Sequence, residues 1–168
     1  MELVGRVILF GDDVNTDVLH PSRFYSLDKL TVAAGVNEQL RTTAGQESSR
    51  SPDAKILVAG RNFGYGSSRE TTLQALQANG VVAVIASSIS RIFWRNCLNA
   101  GLWVFECPEP SSLDLIRQQT HLRMDVNTAR VCSIDGVPLA HLPQLDDYEL
   151  ELLRAGGLMG WMAQTIGN

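Results

Sequence analysis

The side chains best suited to chemistry lie in one glycine-rich segment, residues 60–70, which reads Gly-Arg-Asn-Phe-Gly-Tyr-Gly-Ser-Ser-Arg-Glu. It follows an apolar run and leads into a helix-like stretch, so its glycines can bring backbone amides close to an anion. Arg69 adds a planar guanidinium that matches a carboxylate. A capping box between Ser67 and Glu70 is the simpler interpretation. Because the Walker and dinucleotide patterns are missing, the segment indicates either a small-anion site or a helix cap.

A second polar segment, residues 11–17, reads Gly-Asp-Asp-Val-Asn-Thr-Asp and also follows an apolar run. An Asx turn bonded to its own backbone would explain it. Calcium is a poor fit, because the acids lack the spacing and the closing glutamate of an EF-hand loop. If the two apolar runs are neighbouring parallel strands, both segments leave carboxyl ends and converge on one crevice, where ligands of open α/β sheets bind.

The elements that must position these segments are predicted from apolar runs that alternate with helix-like stretches. This pattern predicts an α/β fold whose centre consists of mostly parallel βαβ units. The predicted strands cover residues 6–10, 55–59, 81–86 and 102–105, with helices at 67–78 and 89–99. Other predictions are a loop at 17–23, short helices at 24–40 interrupted by Gly35, and a mobile polar loop at 41–53. After residue 108 we expect a helix at 113–119, strands at 121–127 and 129–134, a turn at Asp135-Gly136 and a helix at 146–154.

Composition excludes several classes of protein. The chain has 168 residues, 45% of them hydrophobic, and a formal net charge of -4. This fits one ordinary domain without the positive field that nucleic-acid binding requires. No run approaches the length of a membrane span, and no signal sequence is visible. The three cysteines are widely spaced, which predicts a cytoplasmic protein without a disulfide framework or a metal site of its own.

Taken together, the two polar segments carry a family resemblance. Residues 11–17, then 56–60 leading into Phe-Gly-Tyr-Gly-Ser-Ser-Arg-Glu at 63–70, resemble the small subunit of 3-isopropylmalate dehydratase, which is similar to the swivelling domain of aconitase. Residues 83–96 and 99–102 extend the likeness in the same order and spacing. The resemblance covers about the first 110 residues and implies a single β/β/α swivelling domain over residues 1–168.

For function, the resemblance implies a hydro-lyase small subunit that is active only with a large subunit, as a heterodimer or heterotetramer. A [4Fe-4S] cluster is expected on that large subunit, with no cofactor in this chain. The implied reaction isomerises or dehydrates a hydroxy di- or tricarboxylic acid, with the interconversion of 3-isopropylmalate and 2-isopropylmalate in leucine biosynthesis as the first choice. No nucleic acid or membrane is expected as a partner.

The resemblance also implies roles for individual residues. Ser67 corresponds to the base that removes a proton from the carbon beside a substrate carboxylate. Substrate-binding roles are implied for six further residues: Ser68, Arg69, Thr16, Asp17, His20 and Arg23. The last two lie in a loop that faces the variable part of the substrate in this family, and here that loop is more aromatic and polar than usual.

Two alternatives remain open on sequence grounds. One is a related dehydratase that acts on homoaconitate, a methylated malate or citraconate, since an apolar pocket separates such substrates by only about 1 to 3 kcal/mol. The other is a non-catalytic anion-binding module of the same fold. We also expect the isolated chain to self-associate through apolar side chains at Phe93, Trp94 and residues 156–161.

Overall fold

The computed structural model describes residues 1–44, 54–67 and 69–166. Within these residues one sheet has seven strands in the spatial order β4-β3-β2-β1-β5-β6-β7. The strands are β1 (Glu2–Leu9), β2 (Lys55–Ala59), β3 (Val81–Ala86), β4 (Trp103–Glu106), β5 (His121–Asp125), β6 (Arg130–Ser133) and β7 (Pro138–His141). The helices are α1 (Thr16–Leu19), α2 (Lys29–Ala44), α3 (Glu70–Ala78), α4 (Arg91–Ala100), α5 (Pro110–Arg117), α6 (Asp147–Arg154) and α7 (Leu158–Ile166), and a 3₁₀ turn covers Ser22–Phe24. None of these helices is long and apolar enough to cross a membrane.

Strands β1 to β4 form the parallel half of the sheet. All five residues of β2 are buried, as are five of the six in β3, which explains why both read as continuous apolar runs. Helices α2, α3 and α4 connect successive strands of this half. The predicted α/β fold with central βαβ units is therefore confirmed.

The other half of the sheet is antiparallel, because β5 pairs with β1 and is followed by β6 and β7. Strand β1 therefore borders both halves, and it starts at Glu2 rather than Arg6 because Glu2 to Gly5 pair with β5. Strand β7 was not predicted, since it has four residues, begins with a proline and lies at the sheet edge.

Helix α2 differs most from the prediction, because it continues through Gly35 as a single helix. A Cβ at Gly35 would lie 2.6 Å from His20 Cδ2 and 2.7 Å from Phe24 Cβ. The glycine therefore permits close packing and does not end the helix. Helix α2 also includes residues 41–44, the start of the predicted polar loop, while 45–53 lie outside the described residues. The predicted loop at 17–23 contains helix α1 and the start of the 3₁₀ turn.

The helices that were predicted beyond β2 are found in place but differ at their ends. Helix α3 begins at Glu70 rather than Ser67, and its N-cap residue, Arg69, makes no side-chain cap bond. Helix α4 is capped by Ser90 and ends at Gly101 with a φ of 73°, close to the predicted span. Helix α7 was not predicted, because it is apolar and carries no charged residue to mark its ends.

Candidate active site

The loops that follow β1 and β2 are bonded to each other along their length. Four main-chain hydrogen bonds join them, from the amides of Gly60, Asp13, Gly64 and Thr16 to the carbonyls of Gly11, Arg61, Val14 and Tyr65 respectively, at 2.8 to 3.1 Å. Both loops leave the carboxyl ends of adjacent parallel strands. The expected convergence of the two polar segments is therefore confirmed.

Side-chain hydrogen bonds also join the loop after β1 to the loop after β2. Asp12 accepts the amide proton of Arg61 at 2.8 Å and two guanidinium protons of the same residue at 3.2 and 3.3 Å. The Arg61 amide and guanidinium hold the pKa of the Asp12 carboxyl below its ordinary value. Asp13 and Asn62 both have positive φ, and Asn62 donates to Asp13 Oδ1 at 2.9 Å. Asp12 and Asp13 thus fix the two loops to each other, and Asp17 is the acid of residues 11–17 that contacts Ser67.

A third loop, between β3 and α4, is hydrogen-bonded to the glycine-rich segment. Ser90 Oγ donates to the carbonyl of Gly64 at 2.7 Å. Gly64 has a φ of +77°, and a Cβ there would lie 2.3 Å from Phe93 Cγ, so only glycine fits. Phe93 is fully buried and packs edge-on against Phe63. Phe93 is therefore not part of an exposed apolar surface, which corrects the sequence prediction.

Ser67 and Asp17 form the central contact of the site. Ser67 Oγ donates to Asp17 Oδ1 at 2.6 Å, and both residues are exposed. Asn15 caps helix α1 and accepts the amide proton of Asp17 at 2.7 Å, which holds that residue in place. The capping-box interpretation of Ser67 is wrong, because its hydroxyl bonds a carboxylate 50 residues away and helix α3 begins three residues later.

Arg69 and Tyr25 complete the cluster around Asp17. The Arg69 guanidinium carbon lies 4.8 Å from the centre of the Tyr25 ring, within the range of a cation–π contact. Tyr25 Oη donates to the same Asp17 Oδ1 at 3.5 Å. Tyr25 was not among the site residues predicted from the sequence. Its only signal was an aromatic side chain in the loop that the family resemblance places near substrate.

Comparisons with known proteins identify the family. The model of the aconitase C-terminal domain matches residues 25–110. The 3-isopropylmalate dehydratase small subunit of Thermodesulfovibrio yellowstonii is 35% identical over 167 residues, which cover 99% of this chain and 96% of the relative. The small subunit of the same name from Saccharolobus islandicus is 37% identical over 171 residues, with 100% and 99% covered. The chain belongs to the 3-isopropylmalate dehydratase small-subunit family.

A solved structure in this family supports the fold as well. The crystal structure of 3-isopropylmalate dehydratase from Methanocaldococcus jannaschii superposes with a TM-score of 0.81 at 30% identity and covers 99% of this chain and 96% of that one. The expected aconitase-type fold is therefore confirmed.

The other residues to which the family resemblance gave substrate-binding roles lie in different surroundings. Thr16 is 1% exposed and its hydroxyl donates to the Tyr65 carbonyl at 3.1 Å, so it holds the two loops together beneath the site. Arg23 is exposed and its guanidinium lies 4.7 Å from the centre of the Phe24 ring. Ser68 lies outside the described residues.

His20 was expected to face the substrate but is fully buried. Its Nε2 lies 3.0 Å from the Val32 carbonyl, and because a carbonyl only accepts, Nε2 carries the proton. Burial lowers the pKa of this histidine, so the neutral ring is favoured. The expectation fails because helix α2 continues past Gly35 and covers the ring, a long-range contact that the loop sequence does not indicate.

The family resemblance places no cofactor on this chain, and its cysteines are the side chains that an iron–sulfur cluster would require as ligands. Cys97 and Cys107 are buried, and burial raises the pKa of both thiols. Cys132 lies in β6, in the antiparallel half of the sheet. Over the part of the chain that the structure describes, no three His, Cys, Asp or Glu residues are grouped as metal ligands would be. Cysteines placed in this way do not suit a cluster, which needs several thiolates together.

Proposed function

We propose that this chain is the small subunit of a heteromeric iron–sulfur hydro-lyase that interconverts 3-isopropylmalate and 2-isopropylmalate in leucine biosynthesis. The observation that carries the proposal is the exposed Ser67 hydroxyl bonded to Asp17, whose other partner, Tyr25, packs against the Arg69 guanidinium. Such a group placed next to a carboxylate-binding cation suits removal of a proton from the carbon beside a carboxylate. The full-length similarity to small subunits of that name supports the same reaction.

Each residue has a separate role in this proposal. Ser67 contacts the substrate proton at the reacting carbon. Arg69 binds the adjacent carboxylate through two parallel N–H donors, with Ser68 as a further donor. Tyr25 lies against the guanidinium and restricts its orientation. Thr16 and the loop bonds of Asp12 fix the two segments against each other.

The proposal includes a large subunit because the residues of this site are exposed in the isolated chain. Asp17, Ser67 and Arg69 are all exposed, so water reaches each of them in the isolated chain. Proton removal from carbon by weak bases requires a site from which water is excluded. A second protein surface that covers these residues would provide it, and the [4Fe-4S] cluster is proposed to lie there, where it would bind the substrate hydroxyl. The cytoplasm is the proposed location.

A related hydro-lyase is the second candidate, because Tyr25 brings an aromatic ring and a hydroxyl into the site. Homoaconitate, a methylated malate and citraconate are the alternative substrates. A non-catalytic binding module would keep the fold and the anion loop, yet it would have no need for a serine hydroxyl held by a carboxylate.

The test is reconstitution with a large subunit carrying its cluster, followed by anaerobic assay on a panel of these acids. We expect no turnover by the isolated chain and turnover of 3-isopropylmalate by the complex. Ser67→Ala should lower kcat by at least about 1,000-fold with KM nearly unchanged, because the hydroxyl acts mainly in the transition state.

Ser111→Ala is the matched control, since Ser111 is also exposed and donates to a carboxylate, that of Glu109. This change should leave kcat unaltered. Turnover by the isolated chain, or a Ser67→Ala complex within about tenfold of the unmodified one, would contradict the proposal. A preference for another acid of the panel would favour the second candidate.

A further inference from the structure

The hydrogen bond between Ser67 and Asp17 constrains how the serine can act. The Oγ to Oδ1 distance of 2.6 Å falls in the range of a hydroxyl bonded to an ionised carboxylate. Asn15 accepts the backbone amide proton of Asp17 at the start of α1, and Tyr25 Oη donates to the same carboxylate oxygen as Ser67. The hydroxyl proton of Ser67 therefore lies between Ser67 Oγ and Asp17 Oδ1.

This geometry makes a free serine alkoxide an unfavourable base. A serine hydroxyl is a weaker acid than tyrosine, whose pKa is about 10. A negative charge at hydrogen-bond distance raises the cost of forming a second one. A helix N-terminus offers at most about 2 kcal/mol, and Ser67 stands three residues before the first residue of α3. Ionising Ser67 ahead of the reaction would place two anions 2.6 Å apart.

We propose that Asp17 is the proton acceptor behind Ser67, an inference that rests on the hydro-lyase function proposed above. As Ser67 Oγ bonds the substrate proton, its own proton passes to Asp17 Oδ1. Serine thus ends neutral and Asp17 ends as a carboxylic acid. The electron pair of the broken C–H bond becomes the second bond of the alkene, and the C–O bond breaks. The hydroxyl leaves as water with a proton from an acid of the large subunit.

Rehydration reverses the same transfers. Water adds its hydroxyl to the alkene and gives its other proton back to the acid of the large subunit, while Asp17 returns its proton to Ser67 and Ser67 gives one to carbon. Two adjacent anions never form, which removes the electrostatic cost of the alkoxide. Asp17 acts through Ser67, which differs from the substrate-binding role that the family resemblance implies for it.

Asp17→Asn tests this role in the reconstituted complex. Asparagine keeps the size of the side chain and an oxygen that accepts the Ser67 hydrogen bond, but it cannot take up the proton. We expect kcat to fall 100- to 10,000-fold, the range of general-base catalysis, with KM within about threefold. Asp28→Asn is the control for loss of one negative charge, since Asp28 bonds Thr31 at the start of α2 and asparagine is an equally good cap. Its kcat should not change.

A second variant separates proton transfer from mere positioning. Asp17→Ala should be inactive and should regain at least tenfold in kcat when formate is added, because formate supplies the missing carboxylate. Ser67→Ala should gain nothing from formate. An Asp17→Asn complex within tenfold of wild type, a rise in KM with unchanged kcat, or no rescue of Asp17→Ala would overturn the inference. If the wild-type complex converts none of the acids tested, the proposed function fails and the proton transfer falls with it.

Discussion

Replacing Gly35 with alanine sets two physical effects against each other within helix α2. Alanine is favoured over glycine by about 1 kcal/mol in a helix interior. Against this, the new Cβ would lie 2.6 Å from the buried His20 ring and within 2.8 Å of Phe24 atoms, whereas ordinary contacts are 3.4–4 Å. Overpacking of a buried site costs about 1–3 kcal/mol, and three contacts this short belong in the upper part of that range. We therefore expect a net loss of about 1–2 kcal/mol.

The assay is urea and thermal unfolding of the isolated chain, where this loss corresponds to a fall in Tm of roughly 2–8 °C. Ala34→Gly is the matched control, because Ala34 is exposed on the same helix and loses only its helix preference, about 1 kcal/mol. Gly35→Ala and Ala34→Gly should therefore both destabilise the protein, although one adds and the other removes a methyl group. A more stable Gly35→Ala chain would refute the reasoning and would mean that the loop beneath α2 yields easily.

Two further predictions concern the charged groups of the site and the buried histidine. Arg69→Lys keeps the charge but loses the two-pronged donor, so KM for the substrate should rise about tenfold in steady-state assays of the complex, and an unchanged KM would show that Arg69 does not bind the carboxylate. Burial lowers the folded-state pKa of His20. Since the unfolded chain binds a proton that the folded chain does not, stability should decrease as pH falls below about 6.5. Urea midpoints between pH 5.5 and 7.5 should follow this slope, and His20→Gln should flatten it.

The parts of the fold that could be predicted are those whose signal is local. Strands β2 and β3 have nearly every residue buried, so each reads directly as an apolar run. Helix α4 has its cap serine and its terminal glycine in the sequence itself. Strand β7 and helix α7 carry no comparable signal, because one is a four-residue edge strand and the other has no charged face.

The parts of the site that could not be predicted depend on contacts between distant residues. Ser67 fits a local capping pattern with Glu70, and only the folded chain brings Asp17 to its hydroxyl instead. His20 reads as a loop histidine until α2 covers it. Tyr25 belongs to the site because the Arg69 guanidinium packs on its ring, and these two residues are far apart in the sequence. Residue types in the sequence were enough to select candidate site residues, but the contacts of each side chain became visible only in the folded chain.

The hydrogen bonds between the β1 and β2 loops imply that the site forms only after these two strands have paired. Strands β5 and β6 are neighbours in sequence and can pair early, because a short loop closes at little entropic cost. The Ser67–Asp17 contact must wait until β1 finds β2 across about 50 residues of chain, and contacts of that span form slowly. We therefore expect the Ser67–Asp17 contact to form later than the pairing of β5 with β6. A chain in which only β5 and β6 have paired lacks the loop contacts on which the proposed reaction depends.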